Sequence, residues 1–188
     1  MRPFVPVLAV AVVLASPVWA APAPAWTVDK PASKVAFSSS FDGGAFTGSF
    51  RRWDAAIRFD PANLAGSSVT AAFDMTSAVT GDSGRDEALP QDEWFAAGKF
   101  PKATFTARTF KALGGNRYQA VGALTIRGVT KPLTLPFTLV ITGGVAKMNA
   151  SVGLNRLAFG VGQNEWKTTE VVPATVTVNI SLTAKRAG

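Results

Sequence analysis

The sequence predicts a mainly β protein: an antiparallel β-barrel of about eight strands with a short helical insertion near residues 83–97. Apolar residues alternate with polar or small ones over 53–60, 68–75 and 175–184, a pattern typical of half-buried strands. Gly-Gly pairs and a Gly-Gly-Asn run form short turns between such segments, so neighbouring strands should be antiparallel. Small residues on the second face favour a closed barrel with a lumen, and a sandwich with a filled core is the alternative.

The first 20 residues have the pattern of a secretory signal peptide. Arg2 precedes an apolar run over 4–15, and Val18-Trp19-Ala20 fits a cleavage site after Ala20. The run is shorter than the roughly 20 residues that span a bilayer. We therefore expect export to the periplasm, with an uncleaved anchor as the alternative. Residues 21–25, Ala-Pro-Ala-Pro-Ala, predict a stiff leader, and 26–185 a single domain.

Six further strands are expected from shorter runs between Gly, Pro and Asn residues. Short turns between so many strands again favour a closed sheet or a sandwich in one domain. These expected strands are 34–41, 45–50, 103–110, 118–126, 133–141 and 147–154.

The composition excludes several kinds of catalytic and metal-binding site. The chain has no cysteine and no histidine, which excludes disulfides, Ser-His-Asp or Cys-His catalysis and ordinary zinc sites within it. We expect a protein that is not an enzyme and holds no metal or covalent cofactor. The net charge is +7, but the basic residues are scattered without interleaved aromatics, so nucleic acid is not an expected partner.

The acidic stretch Ser-Gly-Arg-Asp-Glu-Ala-Leu-Pro-Gln-Asp-Glu-Trp-Phe, residues 83–95, reads as a helical cap on the barrel. Ser83 followed by Asp86 fits a capping box. Pro90 suits the start of a second helical turn, and Gly98 suits its end. The segment should therefore hold one or two short helices.

The same acids also permit the hypothesis of a catalytic site. Asp86 with Glu93, or Glu87 with Asp92, could act as an acid and base pair of the glycosidase kind, but helix caps and solvated faces produce acids at the same spacing. Arg85 and Asp86 are a candidate structural ion pair. Since neighbours in sequence do not face each other on a helix, each is expected to meet a partner elsewhere.

Residues 155–172 form the second unusual segment. Gly160 and Gly162 lie near Trp166, but a strand follows them, whereas a glycine-rich phosphate cradle requires a helix. The segment therefore predicts a flexible loop with an aromatic residue at the mouth of the barrel.

Several ordered segments together resemble the YceI-like family of exported lipid- or polyisoprenoid-binding proteins. The stretch 85–105 is similar to the family's helical insertion and following strand, and 122–137 to its Gly-x-Leu-Thr-Ile-x-Gly-Val-Thr-Lys-Pro hairpin. The segments near 26–50 and 159–184 also resemble the family. In the insertion the matching residues are Arg85, Asp86, Leu89, Glu93, Trp94, Phe95, Lys99, Phe100 and Pro101.

The resemblance implies a lipocalin-like barrel that holds a long isoprenoid amphiphile in its lumen. The chain departs from the family at Ala88, where a histidine is usual, and in 38–44, where another is frequent. A one-residue slip of a strand would invert its inward face. The residues expected to line the lumen are Phe37, Phe46, Phe50, Phe73, Phe105, Leu124, Leu135 and Phe137. Those expected near the entrance are Trp94, Phe95 and Trp166.

The function expected from these observations is that of a periplasmic carrier for a polyisoprenoid or isoprenoid quinone. One alternative is an accessory partner of a membrane b-type cytochrome, or a quinone-linked stress-response protein, with a quinone as the cargo. Another is a β domain that binds a protein through an exposed strand edge, without a ligand. A homodimer is left open.

Overall fold

The alternating segments form a sheet of eleven strands in the computed structural model, which describes residues 21–187. The predicted signal peptide lies outside the described residues. All nine predicted strands are present, and two short ones, β1 and β6, were not predicted. The strands are β1 Ala25–Val28, β2 Lys34–Phe41, β3 Gly44–Phe50, β4 Trp53–Arg58, β5 Ser68–Asp74, β6 Ala78–Val79, β7 Lys102–Gly114, β8 Arg117–Ile126, β9 Val129–Thr142, β10 Val145–Asn155 and β11 Thr175–Arg186.

Eight of these strands close into an antiparallel barrel, which confirms the predicted fold. Their order is β1-β4-β5-β7-β8-β9-β10-β11, and β1 pairs with β11 to complete the ring. The closing register runs from Trp26 opposite Arg186 to Val28 opposite Ala184. Closure leaves these strands without free edges at that end of the molecule.

A second set of strands extends the wall at the other end. β11 also pairs with β2, from Thr177 opposite Ser38 to Ser181 opposite Lys34. β3 then pairs with β2, and β6 with β3. We call the end of β11 near Thr175 the mouth end, and the end near Arg186 the closed end.

Helical structure follows β6 at the mouth end and is shorter than the sequence predicts. One α-helix, α1, covers Ser83–Ala88. Residues 89–99 form successive turns, so the second helical turn expected at Pro90 is not an α-helix. The 3-10 helices are Leu64–Gly66, Met75–Ser77, Arg156–Phe159 and Asn164–Lys167.

Aromatic residues plug the closed end of the barrel. The Trp26 side chain is 5 % exposed, and its Nε1 donates to the Phe59 carbonyl oxygen at 2.9 Å. The Phe59 ring contacts Phe110, Tyr118 and Phe137 edge-on, with ring centroids 5.4 to 5.9 Å apart. Such edge-to-face packing is favourable between aromatic rings, so the lumen ends here.

The stiff leader expected over 21–25 is instead part of the fold. Ala25 begins β1, and Ala23 is buried. The Ala23 amide donates to the Gly66 carbonyl at 2.9 Å, and the Pro24 carbonyl accepts from the Phe59 amide. The prediction was wrong because backbone hydrogen bonds, which the sequence pattern does not display, hold this segment to the closed end.

A β-bulge between β7 and β8 brings two backbones close together. Ala107 pairs with Gly122 and Thr109 with Val121, which leaves Arg108 as the extra residue. A Cβ at Gly122 would overlap the Thr106 carbonyl oxygen and come within 2.7 Å of the Ala107 Cβ. Glycine at this position is therefore required by the close approach of the two strands.

We predict that Gly122→Ala destabilises the protein by about 1–3 kcal/mol, because the backbone of β7 must move to admit the methyl group. Gly98→Ala is the matched control, since its Cβ would have no heavy atom within 4 Å. Urea titration measures the free energy of unfolding of both variants. Equal values for the two variants would contradict the packing described for the bulge.

Candidate functional site

A large apolar cavity occupies the mouth end of the barrel. Its volume is about 480 Å³. The wall is built from β2, β3, β5, β7, β8, β10 and β11, together with the insertion after β6 and the loop before β11. Its aromatic lining residues are Phe37, Phe41, Phe46, Phe50, Phe73, Trp94, Phe95, Phe159 and Trp166.

A second apolar cavity of about 170 Å³ lies below the first, toward the closed end. The two share five lining residues, so they are consecutive chambers along one lumen. On β11 the inward positions run from Val176 in the upper chamber to Ala184 in the lower one, which is roughly 26 Å of strand. The shared residues, here called the waist, are Val35, Phe73, Leu124, Leu154 and Val178.

All eleven residues expected at the lumen or its entrance line one of the two chambers. Their part in binding a ligand stays a prediction; the eight of them that lie on strands face the lumen from β2, β3, β5, β7, β8 and β9. Those on the upper chamber are Phe37, Phe46, Phe50, Phe73, Trp94, Phe95, Leu124 and Trp166. Those on the lower chamber alone are Phe105, Leu135 and Phe137.

Sequence reasoning missed Arg156, a charged residue that lines the upper chamber. Inward positions alternate along β10, where Met148, Val152 and Leu154 line the lumen. Arg156 continues this alternation just beyond the strand, at the start of a 3-10 helix. The period-two pattern that located the strand could therefore have placed this arginine on the inner face.

The Arg156 side chain is 5 % exposed and is held by backbone carbonyls. Its Nε donates to Pro173 at 3.0 Å, Nη1 to Val161 at 2.9 Å, and Nη2 to Thr168 at 3.0 Å and Val172 at 2.8 Å. Burial lowers the pKa of the guanidinium from its ordinary value. These bonds fold the loop after β10 around one cation.

The loop closes over Arg156 tightly. A Cβ at Gly162 would overlap the guanidinium Nη1, and Gly162 has a positive φ of 85°. Glycine accommodates both the close approach and the backbone conformation. The guanidinium carbon also lies 5.8 Å from the centroid of the Trp94 ring, within reach of a cation–π contact.

Glu93 ties the insertion to this loop across the mouth. Its carboxylate accepts from Asn164 Nδ2 at 2.8 Å and from Trp166 Nε1 at 3.1 Å. Its carbonyl accepts from the amides of Gly162 and Gln163. The Trp94 and Trp166 rings pack with centroids 5.3 Å apart. We call these contacts the rim tie; they hold the two entrance tryptophans over the upper chamber.

Arg127 joins the β8–β9 turn to the same two segments. Its Nη1 donates to the Gly160 carbonyl at 2.9 Å and its Nη2 to the Asp92 carbonyl at 2.6 Å. The adjacent Gly128 has a positive φ, and a Cβ there would meet the Phe100 ring at 2.6 Å. Three segments that are distant in sequence thus form one rim.

The helix cap differs from the one predicted. Asp82, not Ser83, is the N-cap residue, and its carboxylate accepts from the Arg85 amide at 2.9 Å. Asp and Ser both cap well, so the sequence placed the start one residue late. Ser83 is the first residue of α1 and is exposed.

As expected for neighbours on a helix, Arg85 and Asp86 each meet a partner elsewhere. Arg85 lies 3.7 Å from the Asp82 carboxylate and over the Phe46 ring at 4.8 Å. Asp86 instead accepts from the Thr80 amide at 2.6 Å and its hydroxyl at 2.7 Å. Burial by itself raises the pKa of Asp86, but the Thr80 hydrogen bonds outweigh it and the pKa is lowered.

Two other acids of the insertion also have structural partners. Asp92 pairs with Lys99 at 2.7 Å, and Glu93 belongs to the rim tie. Within residues 21–187, no cluster of three or more His, Cys, Asp or Glu residues is arranged to hold a metal ion. In the same range no helix is long and apolar enough to cross a membrane.

Comparison with known proteins agrees with this geometry. Residues 26–184 match the YceI-like domain. A protein of Yersinia enterocolitica described as UPF0312 protein YE1254 is 40 % identical over 96 residues, which are 51 % of this chain and 50 % of that protein. Protein YceI of Escherichia coli O157:H7 is 35 % identical over the same length. The chain thus aligns with about half the length of these curated relatives.

Solved structures share the whole fold. BcnA of Burkholderia cenocepacia superposes with a TM-score of 0.81 and 33 % identity, covering 84 % of this chain and 99 % of that one. A domain from Saccharophagus degradans, described as a polyisoprenoid binding domain, gives 0.69 with 16 % identity, covering 87 % and 99 %. At that identity the second comparison shows the fold alone.

We predict that Glu93→Ala loosens the rim without unfolding the barrel, because it removes two side-chain hydrogen bonds at the mouth. Amide hydrogen exchange should accelerate over 160–168 and stay unchanged in β7–β9. Glu165→Ala is the matched control, since Glu165 is an exposed residue of the same loop. Unchanged exchange over 160–168 would show that the rim tie does not hold the loop.

We further predict that Asp86→Ala destabilises the protein mainly at neutral pH. A lowered folded-state pKa stabilises the fold above the unfolded-state pKa, and this is lost as pH falls through the folded-state value. The difference in unfolding free energy from wild type should therefore shrink in acid. Glu87→Ala, on the exposed side of α1, is the control. A difference that grows as pH falls would contradict the Thr80 contact.

Proposed function

The chain belongs to the YceI-like family, and from that premise we propose that it carries an amphiphilic lipid with a long isoprenoid tail. The observation that supports this most strongly is the apolar lumen of two adjacent chambers, which share the lining residues of the waist and end at Trp26 and Phe59. The polyisoprenoid-binding description of the Saccharophagus degradans domain adds support at the level of fold.

A lumen of this kind binds a tail through burial alone. Each methylene removed from water contributes about 0.8 kcal/mol, so a fully buried five-carbon isoprene unit contributes up to about 4 kcal/mol. Methyl branches suit a wall made of phenyl rings, Leu, Val and Ile. The tail therefore needs no hydrogen bonds to be held, and its length is limited by the distance from the rim to the Trp26 plug.

The mouth is the route by which the tail enters. The closed end is sealed by a strand pair and a buried aromatic cluster. At the mouth, by contrast, the Trp166 ring is held by one hydrogen bond to Glu93 and by packing against Trp94, and the neighbouring Glu93–Asn164 bond is exposed. Opening the rim tie costs less than opening the β1–β11 pairing, because few backbone hydrogen bonds are lost.

The proposed setting is the periplasm, which suits a cysteine-free chain that begins with a signal-peptide pattern. There the protein would shield an insoluble lipid between membranes. Since the residue types of this chain provide no redox group, a quinone cargo would be carried rather than reduced. A membrane cytochrome of the b type would then be the receiver of the cargo.

We predict that affinity for isoprenoid alcohols rises with each added isoprene unit until the lower chamber is full. Ala71→Leu should reduce the affinity of long alcohols about tenfold or more and leave short ones unchanged, because it fills the lower chamber. Ala72→Leu, on the opposite face of β5, is the matched control. Titration followed by tryptophan fluorescence measures the affinity of the wild-type protein and of the two variants for each alcohol.

Two outcomes would contradict the proposal. Affinities independent of tail length would show that the lumen does not hold the tail. Absence of any binding to the wild-type protein would favour the β domain that binds a protein partner instead.

A further inference from the structure

The acidic and basic residues of the protein are segregated between different parts of the barrel. Strands β7 to β11 are consecutive in the ring and contain no aspartate and no glutamate. Their basic residues are all exposed, and none of them lies in an ion pair within residues 21–187. This side of the wall therefore has only positive charges. They are Lys102, Arg108, Lys111, Arg117, Lys131, Lys147, Lys185 and Arg186.

The acidic residues lie on the other strands and in the loops. The chain has 12 of them, all before β7 or in the loop between β10 and β11. Near the mouth end, Asp74, Asp82 and Asp92 each pair with a neighbouring cation. Asp29 marks the border of the basic wall, since its amide donates to the Thr183 carbonyl of β11. Such an uneven distribution of charge steers a protein toward a negatively charged surface.

Four of the cations form a patch on the β7–β11 wall toward the closed end. Lys147 on β10 lies opposite Thr183 on β11, and Lys185 follows two residues later on β11. Arg117 on β8 and Lys111 on β7 lie across β9 from them. Neighbouring strands are about 4.8 Å apart, so the patch spans roughly 19 Å from β11 to β7. We call Lys111, Arg117, Lys147 and Lys185 the basic patch.

The basic patch faces away from the lumen. Residues directly next to three of its members line the lower chamber, namely Phe110, Met148 and Ala184. Since successive residues of a strand point to opposite faces of the sheet, those three members point outward. Arg117 lines a groove on the outer face of the wall. All four cations are therefore accessible to a surface that meets the barrel from outside.

Two exposed aliphatic side chains accompany the basic patch. Leu113 is 45 % exposed and Val140 is 49 % exposed. Leu113 lies between Lys111 and Arg117 in the β7–β8 hairpin. Val140 is directly opposite Lys147. Long basic side chains together with aliphatic ones are typical of protein surfaces that lie in the head-group layer of a bilayer.

The composition of the basic patch favours a lipid surface over a protein partner. Protein interfaces concentrate their binding energy in Trp, Tyr and Arg anchors, and lysine is depleted in them. The basic patch contains three lysines. In the described part of the chain the exposed aromatic side chain is Phe41, which lies at the mouth end. An anionic bilayer, by contrast, attracts scattered lysine and arginine residues without any aromatic anchor.

We propose that the basic patch docks the protein onto a membrane surface rich in anionic lipid. Its four cations contact lipid phosphates, and Leu113 and Val140 enter the head-group layer. This inference goes beyond the proposed function, because the patch lies outside the barrel and does not depend on what the lumen holds. The mouth end stays uncovered, so a docked protein can still admit or release a ligand there.

The test measures sedimentation of the protein with vesicles of defined composition. Wild-type protein is mixed with vesicles of phosphatidylcholine, or of phosphatidylcholine with phosphatidylglycerol, at several salt concentrations. We expect binding to the anionic vesicles only, with an affinity that falls as salt rises, since salt screens exposed charges. Equal binding to both kinds of vesicle, or no binding to the anionic ones at low salt, would overturn the docking surface.

Two matched double variants locate the surface. Each cation near an anionic membrane raises the affinity about fivefold, so Lys147→Gln with Lys185→Gln should lower it about tenfold or more. Lys102→Gln with Lys131→Gln removes the same charge at the mouth end of the same wall and should have a much smaller effect. All four lysines are exposed, so the fold should be unharmed. An equal loss in both double variants would show that net charge drives binding, and the patch would be rejected.

The exposed aliphatic side chains separate docking on a bilayer from attraction to any polyanion. Leu113→Ser should lower the affinity for anionic vesicles several-fold. Val129→Ser is the matched control, since Val129 is 36 % exposed at the mouth end, and it should leave the affinity unchanged. If a soluble oligo-glutamate binds as tightly as the vesicles and Leu113→Ser has no effect, the partner is an acidic protein and the membrane proposal fails. The carrier function is tested separately, by the series of isoprenoid alcohols.

Discussion

The pairing of β1 with β11 is the contact on which the rest of the structure depends. It converts an open sheet into a ring, so each strand of the ring has one face that water cannot reach from the side. Inward positions must then be apolar, and their small size at Ala71 and Ala184 leaves space rather than a filled core. The lumen is therefore a consequence of closure, since eight strands enclose just enough volume for side chains or one ligand.

The mouth end is held together by different contacts from those that hold the barrel wall. Ladder hydrogen bonds hold the barrel, whereas single side chains hold the rim. The Glu93 carboxylate binds side chains of the loop before β11, and Arg127 and Arg156 bind backbone carbonyls. Glu93 accepts through its carboxylate and its carbonyl, and the two arginines donate to carbonyls. Contacts of this kind are strong individually but few, which suits a part of the molecule that must admit a ligand while the barrel stays intact.

The sequence predicted the barrel well because alternation over long strands is a local signal. The alternation that located β11 has its apolar residues, from Val176 to Ala184, on the inner face of the structure. β1 and β6 were missed, since four and two residues are too few to show a period. The helix start was placed at Ser83 rather than Asp82 because both residue types make good caps.

The contacts between the polar residues of the site could not be predicted from the sequence, for a physical reason. Glu93 and Trp166 are 73 residues apart, and only the closed ring brings them into contact. Arg156 looked like one more scattered basic residue, although its place in the alternation of β10 puts it inside. The pattern shows which face a residue takes, but the pairing of charges depends on contacts between elements.

The central claim, that the lumen holds a lipid tail, is tested most directly by native mass spectrometry of the protein purified from periplasm without detergent. The account predicts a discrete added mass that organic solvent releases as an isoprenoid lipid. A protein that shows only its own mass, and still does so after incubation with acidic and neutral isoprenoids, would contradict it.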